Sequence, residues 1–96
     1  MKRIANKDAY LHVSNFVVFV GNNTYSQHKC GCYIVYSYGE HYPMYIYKDK
    51  TWYENKDKYS RTTSKHHSQL RPRHVTVFEL RTTEEMENII NPRETR

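Results

Sequence analysis

The stretch Tyr42-Pro43-Met44-Tyr45-Ile46-Tyr47-Lys48-Asp49-Lys50-Thr51-Trp52-Tyr53-Glu54 decides the fold. Its two aromatic runs, Tyr42 to Tyr47 and Thr51 to Glu54, flank the polar triplet Lys48-Asp49-Lys50. Rings and β-branched side chains suit a half-buried pleated surface, and a short polar break between two such runs is a hairpin signal. Pro43 has no backbone N–H to donate, which confines it to the start of its strand or to a sheet edge.

Toward the N-terminus, Gly39 to His41 is a turn. Thr24 to Tyr38 reads as one extended stretch whose positions Cys30, Cys32, Ile34 and Tyr36 face the core. Gly21-Asn22-Asn23 is a turn, since Gly and Asn tolerate positive φ. His12 to Val20, rich in Val and Phe, reads as a buried strand, and residues 1–9 as a loose arm.

Toward the C-terminus, Tyr59 to Leu70 reads as a short helix capped by Ser60, with Tyr59, Thr63, His66 and Leu70 on one face. Arg71-Pro72-Arg73 ends it, because proline disfavours helical geometry at the residue before it. His74 to Leu80 reads as a strand. Thr82 and Glu85 form a capping box, and Met86, Ile89 and Ile90 give a last helix its apolar stripe. Asn91-Pro92 stops that helix, leaving residues 92–96 as a tail. The order β-β-β-β-α-β-α predicts an α+β fold in a single domain over residues 1–96. Its form is a small antiparallel sheet of about five strands with two short helices packed on one face.

Of the 96 residues, 38% are hydrophobic and ten are tyrosine, so the core is expected to be built from half-buried rings more than from leucine. The longest apolar run, Phe16 to Val20, is far shorter than the roughly 20 residues of a membrane helix. No apolar stretch follows Met1-Lys2-Arg3 as a secretory signal requires. A cytoplasmic location with no membrane partner is therefore expected. There Cys30 and Cys32 stay reduced, and the sequon Asn22-Asn23-Thr24 goes unused.

Between Lys48 and Arg73, eight cations (Lys48, Lys50, Lys56, Lys58, Arg61, Lys65, Arg71, Arg73) meet three carboxylates (Asp49, Glu54, Asp57), so this stretch carries the whole formal net charge of +5. Cations interleaved with Tyr47, Trp52, Tyr53 and Tyr59 suit an anionic partner, with phosphates on the charges and bases on the rings. The plainer reading is a solvated face beside ordinary core aromatics. Ser60, Thr62 and Thr63 at a helix start, with Arg61 and Lys65, suit a phosphate. Alternatively Ser60 only caps, Thr63 packs and His66 bonds a strand carbonyl. The candidate nucleic-acid or partner-binding set is Lys48, Lys50, Trp52, Tyr53, Lys58, Tyr59, Ser60, Arg61, Thr62, Lys65, His67, Arg71 and Arg73.

Two other chemistries are weaker. His28-Lys29-Cys30-Gly31-Cys32 places three N and S donors on one side of an extended strand, and His41 could add a fourth for zinc. Cys-x-Cys is tighter than the spacing of zinc knuckles and more often marks two small core residues, so no metal and no other cofactor is expected. His66, His67 and His74 beside Lys and Arg are ingredients of a small RNase. Adjacent histidines on a helix point in different directions, however, so a non-enzymatic role is expected.

Tyr59-Ser60-Arg61-Thr62-Thr63-Ser64-Lys65-His66, preceded by Tyr36-Ser37-Tyr38 and the hairpin from Tyr42 to Glu54, resembles a family of short uncharacterised proteins of phages and archaeal viruses. The resemblance covers Tyr33 to Leu70. It implies a viral accessory origin, and such proteins often act on host machinery or host defence. With the basic stretch, the leading expectation is an accessory protein that inhibits or redirects a host nucleic-acid-handling complex in the host cytosol, in the anti-CRISPR or anti-restriction manner. A positive surface would engage bound guide RNA or an acidic protein patch rather than imitate DNA. The alternatives are a DNA- or RNA-binding regulator and, behind it, a small RNase. Expected partners are a host protein or ribonucleoprotein complex, nucleic acid directly, and a second copy of the chain through an edge strand.

Overall fold

The computed structural model describes residues 2–39, 42–57 and 61–92. One sheet holds five strands in chain order: β1 (Thr24–Lys29), β2 (Cys32–Ser37), β3 (Pro43–Lys48), β4 (Thr51–Asn55) and β5 (Glu79–Arg81). β1 to β4 form an antiparallel meander. β5 joins β4 in parallel, with Tyr53 opposite Glu79 and Asn55 opposite Arg81. A parallel neighbour needs a long crossover, and α2 (Arg61–Leu70) lies within it. The α+β class stands as expected, with a sheet that is mixed at this one edge.

The decisive hairpin is tighter than a three-residue loop. Lys48 pairs with Thr51, so only Asp49 (φ 51°) and Lys50 (φ 64°) make the turn. Two left-handed residues give a type I′ turn, whose twist matches that of the strands. The same device separates β1 from β2, with Cys30 (φ 53°) and Gly31 (φ 78°) between Lys29 and Cys32. The single extended stretch expected from Thr24 to Tyr38 is therefore two strands. Asn or Asp normally precedes glycine in this turn, and Cys30 in that place concealed it.

The strand expected over His12–Val20 is instead a helix followed by a reversal. A 3-10 turn at Asn6–Asp8 leads into α1 (Ala9–Ser14), which buries Ala9 and Val13 one helical turn apart. Phe16 (φ 58°) reverses the chain, and Val17 N–H donates to the His12 carbonyl at 2.9 Å. The i, i+4 pair outweighs the strand preference of the Val and Phe run behind it. That run makes only isolated bridges, Val20 to Arg3 and to Tyr25. The expected loose arm is bonded into the fold. Ile4 N–H donates to the Val20 carbonyl at 2.8 Å, and the Asn6 amide donates to the Asn22 carbonyl at 2.9 Å.

The strand expected over His74–Leu80 shrinks to β5, because Val75 and Phe78 use their side chains against the core rather than their backbones in the sheet. α3 (Thr83–Ile90) carries the expected capping box. Thr82 Oγ1 accepts from Glu85 N–H at 3.2 Å, and Glu85 Oε1 accepts from Thr82 N–H at 2.8 Å.

Alternation along β2 sends Tyr33 and Val35 to one face and Cys32, Ile34 and Tyr36 to the other. α1 and α2 cover the first face, where Ala9, Val13 and Leu70 meet Tyr33, Val35, Tyr45 and Trp52. α3 covers the second, where Met86 and Ile90 meet Cys32, Ile34, Tyr36 and Ile46. The two late helices thus sit on opposite faces, not on one. β2 is buried along its whole length, which is why its sequence reads as nearly continuous apolar residues. Among the described residues, no helix is long and apolar enough to cross a membrane.

Candidate functional site

α2 turns Thr63, His66, His67 and Leu70 inward. His66 Nδ1 lies 2.7 Å from Ser37 Oγ, so its strand partner is a hydroxyl rather than the expected carbonyl. Burial, with the neighbouring His67 and Lys65 charges, holds the His66 pKa below its ordinary value. The ring is neutral at pH 7.

His67, a member of the candidate binding set, is a clamp inside the fold. Its Nδ1 lies 2.9 Å from Glu54 Oε2, and its Nε2 lies 2.8 Å from the Tyr42 hydroxyl. An ionised carboxylate only accepts, so Nδ1–H donates to Glu54. Glu54 Oε1 also accepts from Arg71 Nη1 at 3.0 Å. Burial works against the Glu54 charge, but the hydrogen bonds from His67 and Arg71 outweigh it and hold the carboxyl below its usual range. The Tyr45 hydroxyl donates to the His67 carbonyl at 2.7 Å, and the Tyr42 hydroxyl donates to the Asp57 carbonyl. Together these bonds pin α2 to β3 and β4.

The other members of the set disperse. Trp52 is core, 6% exposed. Tyr53 lies on the opposite face with the Arg81 guanidinium 5.5 Å from its ring centre. Lys48 Nζ donates to the Ile89 carbonyl at 3.0 Å and so caps the C-terminal end of α3. Lys50, in the hairpin turn, lines a hollow with Trp52 and His74. Arg71 is paired with Glu54 and stacks 4.2 Å over Phe78, while Arg73 stacks 4.0 Å over Tyr10. Arg61 and Lys65 remain together, both exposed and one turn apart on the outward face of α2. Thr62 lies in the first turn of that helix. Lys58, Tyr59 and Ser60 lie outside the described residues, as do His41 and the tail beyond Pro92. Among the described residues, the cations of the +5 stretch are therefore not gathered on one face.

The zinc donors also separate, because the chain reverses between them. His28 packs beside Tyr33 with Nε2 3.1 Å from the Phe16 carbonyl. Cys30 is in the turn with Sγ 3.6 Å from Asn91 Oδ1, and Cys32 points into the second core cluster. Among the described residues, no three His, Cys, Asp or Glu side chains gather into a metal site. The RNase histidines are likewise apart. His66 and His74 line different hollows, and His67 is held between Glu54 and Tyr42.

The concave site beside α2 was not legible in the same way. A basin of about 460 Å³ is lined by Asn6, Lys7, Asn22, Asn23, Tyr38, Lys65, His66 and Gln69. Among the described residues no carboxylate lines it. Its wall is Tyr38, which follows β2 in a left-handed conformation (φ 63°) and donates its N–H to the Asn23 carbonyl at 2.8 Å. Such a backbone costs about 1–2 kcal/mol in a bulky residue, and outliers of this kind gather at functional sites. Tyr38 is 59% exposed, and its ring lies 5.5 Å from the His66 ring, with planes 30° apart. A second hollow of about 340 Å³ includes Arg3, Thr24 and Tyr25, and shares Asn23 and Tyr38 with the basin.

Gly21 makes this corner possible, because a Cβ there would come within 2.5 Å of Asn6 Oδ1 and 2.4 Å of Thr24 Oγ1. Sequence reading missed Arg3 and Lys7 because their segment reads as an arm, and Tyr38 because it reads as strand. The usable signal was the Tyr38-Gly39 break after an apolar strand. Ser37 and Tyr38 both meet His66 here, the first through its hydroxyl and the second through its ring. Compared with protein-family models, curated proteins and solved structures, the chain shows no significant match.

Proposed function

We propose that the protein is a non-enzymatic accessory protein of viral type that inhibits or redirects a host nucleic-acid-handling complex by engaging its nucleic acid. The contact face is the basin wall of Lys7, Lys65 and Tyr38 together with Arg61 on the outer side of α2. The observation that carries this reading is a concave, carboxylate-free site, among the described residues, that combines two lysines with an exposed ring. Phosphates favour the lysines and bases favour the ring, whereas an apolar ligand would favour neither lysine. The viral and inhibitory parts of the proposal rest on the sequence resemblance.

A DNA- or RNA-binding regulator would use the same face without a protein target. Two measurements separate the readings. Labelled random RNA and DNA are titrated at about 50 and 200 mM salt, where contacts to phosphates weaken steeply. The tagged protein is also used to capture a complex from host lysate with and without nuclease treatment. Salt-sensitive binding plus a nuclease-sensitive captured complex supports the accessory reading. Binding with no captured complex favours the regulator, and no binding at low salt removes both.

A further inference from the structure

We infer that Tyr38 is a stacking platform for an unpaired base of a single-stranded nucleic acid, whose flanking phosphates are held by Arg3 in one adjoining hollow and by Lys7 and Lys65 in the other. This rests on the nucleic-acid reading above and names the form of the ligand.

The platform is set before any ligand arrives. One side of the ring is backed by His66, and His66 is in turn held by Ser37. The backbone beneath it is tied to the Asn23 carbonyl. A ring fixed in this way loses little freedom on binding, so most of its stacking energy reaches the affinity. The residue is 59% exposed, unlike the described aromatics that form the core.

The hollows of about 460 and 340 Å³ are nucleotide-sized and share the Tyr38 wall. A strand crossing that wall leaves one base on the ring and a phosphate over each hollow. Each hollow carries its own cation, Arg3 in the smaller and Lys7 with Lys65 in the larger. Asn23 and Gln69 line the larger hollow, and their side-chain amides can pair with base edges. A duplex keeps its bases stacked inside and offers none to the ring, whereas single strands present splayed bases to aromatic side chains.

The test is fluorescence anisotropy with a labelled single strand of about eight nucleotides and with a duplex of the same sequence. Tyr38→Asn removes the ring while keeping a residue that tolerates left-handed backbone. Tyr38→Trp keeps a stacking surface. Circular dichroism checks that both variants fold. Tyr38→Asn is expected to weaken single-strand binding by about tenfold or more. Tyr38→Trp should retain single-strand affinity, its added indole should be quenched by the strand, and neither change should alter duplex binding.

If strand and duplex bind equally and both variants match the parent, the platform is overturned while the basic-face reading survives. Displacement of the strand by a free mononucleotide as effectively as by unlabelled strand overturns the single-strand assignment. No binding of any nucleic acid at low salt overturns both readings.

Discussion

His66 Nδ1 lies 2.7 Å from Ser37 Oγ, and this contact joins the end of the central strand to the helix that covers it. Both residues are buried, Ser37 at 1% and His66 at 5% exposure. The same imidazole backs the exposed Tyr38 ring. A bond in the interior therefore fixes the geometry of a surface site.

Ser37→Ala leaves that buried imidazole nitrogen without its partner. The expected cost is about 1–3 kcal/mol of stability, read from urea unfolding. A midpoint unchanged within error would show that the bond contributes nothing.

Glu54 and Arg71 contribute unequally despite sharing one ion pair. Glu54→Ala removes the acceptor from both His67 and Arg71. We expect a loss of about 3 kcal/mol, the low end for broken buried pairs, because the Arg71 side chain is 45% exposed. Arg71→Met should cost about 1 kcal/mol or less, since solvent screens its charge and Glu54 keeps His67. Equal losses in the two variants would contradict this division.

Acid should weaken the fold in two stages. His66 binds its proton less tightly when folded, so the unfolded chain takes up more protons as pH falls through about 6.5 and stability drops. Glu54 is held below its ordinary value, so its contribution is present above about pH 4.3 and is lost as pH falls through the lowered folded value. Melting temperature between pH 7.5 and pH 3 should fall throughout the acid range. A rise between pH 7 and pH 5 would contradict the His66 assignment.

How much of this was legible in the sequence varies with the physics of each element. The hairpin of β3 and β4 and the Thr82–Glu85 capping box are local patterns, and both were readable. The Cys30-Gly31 turn was hidden by an unusual first residue, and α1 by the Val and Phe density just after it. Where the cations point is a tertiary matter. Charge density along residues 48–73 said nothing of Lys48 turning to α3, Arg71 to Glu54 or Arg73 to Tyr10. The basin was least readable, because it assembles Lys7, Asn22, Tyr38 and Lys65 from four separate segments.

The β1–β2 turn offers a stability test of its own. Cys30→Asn should stabilise the protein by about 0.5–1 kcal/mol, since asparagine tolerates the left-handed backbone. Gly31→Val should cost about 1–2 kcal/mol, although nothing lies within 4 Å of the added Cβ. Urea unfolding of both variants reads the two signs directly.

Lys48 and Lys65 should respond in opposite ways. Lys48→Met removes a helix-end contact and should cost about 0.3–1 kcal/mol of stability, leaving nucleic-acid affinity within roughly twofold. Lys65→Gln should leave stability nearly unchanged and lower the salt slope of binding by about 0.7 for a single strand. The reverse pattern would return the binding face to the β3–β4 hairpin.

A single nuclear magnetic resonance titration decides between these faces. The isotope-labelled protein is mixed with a short single strand at low salt, and amide shifts are followed along the chain. The changes should concentrate at Lys7, Asn22, Asn23, Tyr38, Lys65 and Gln69, with Lys48, Trp52 and Arg73 still. Shifts gathered instead around the β3–β4 hairpin or α3, with the Tyr38 amide unmoved at saturation, would contradict the Tyr38 site.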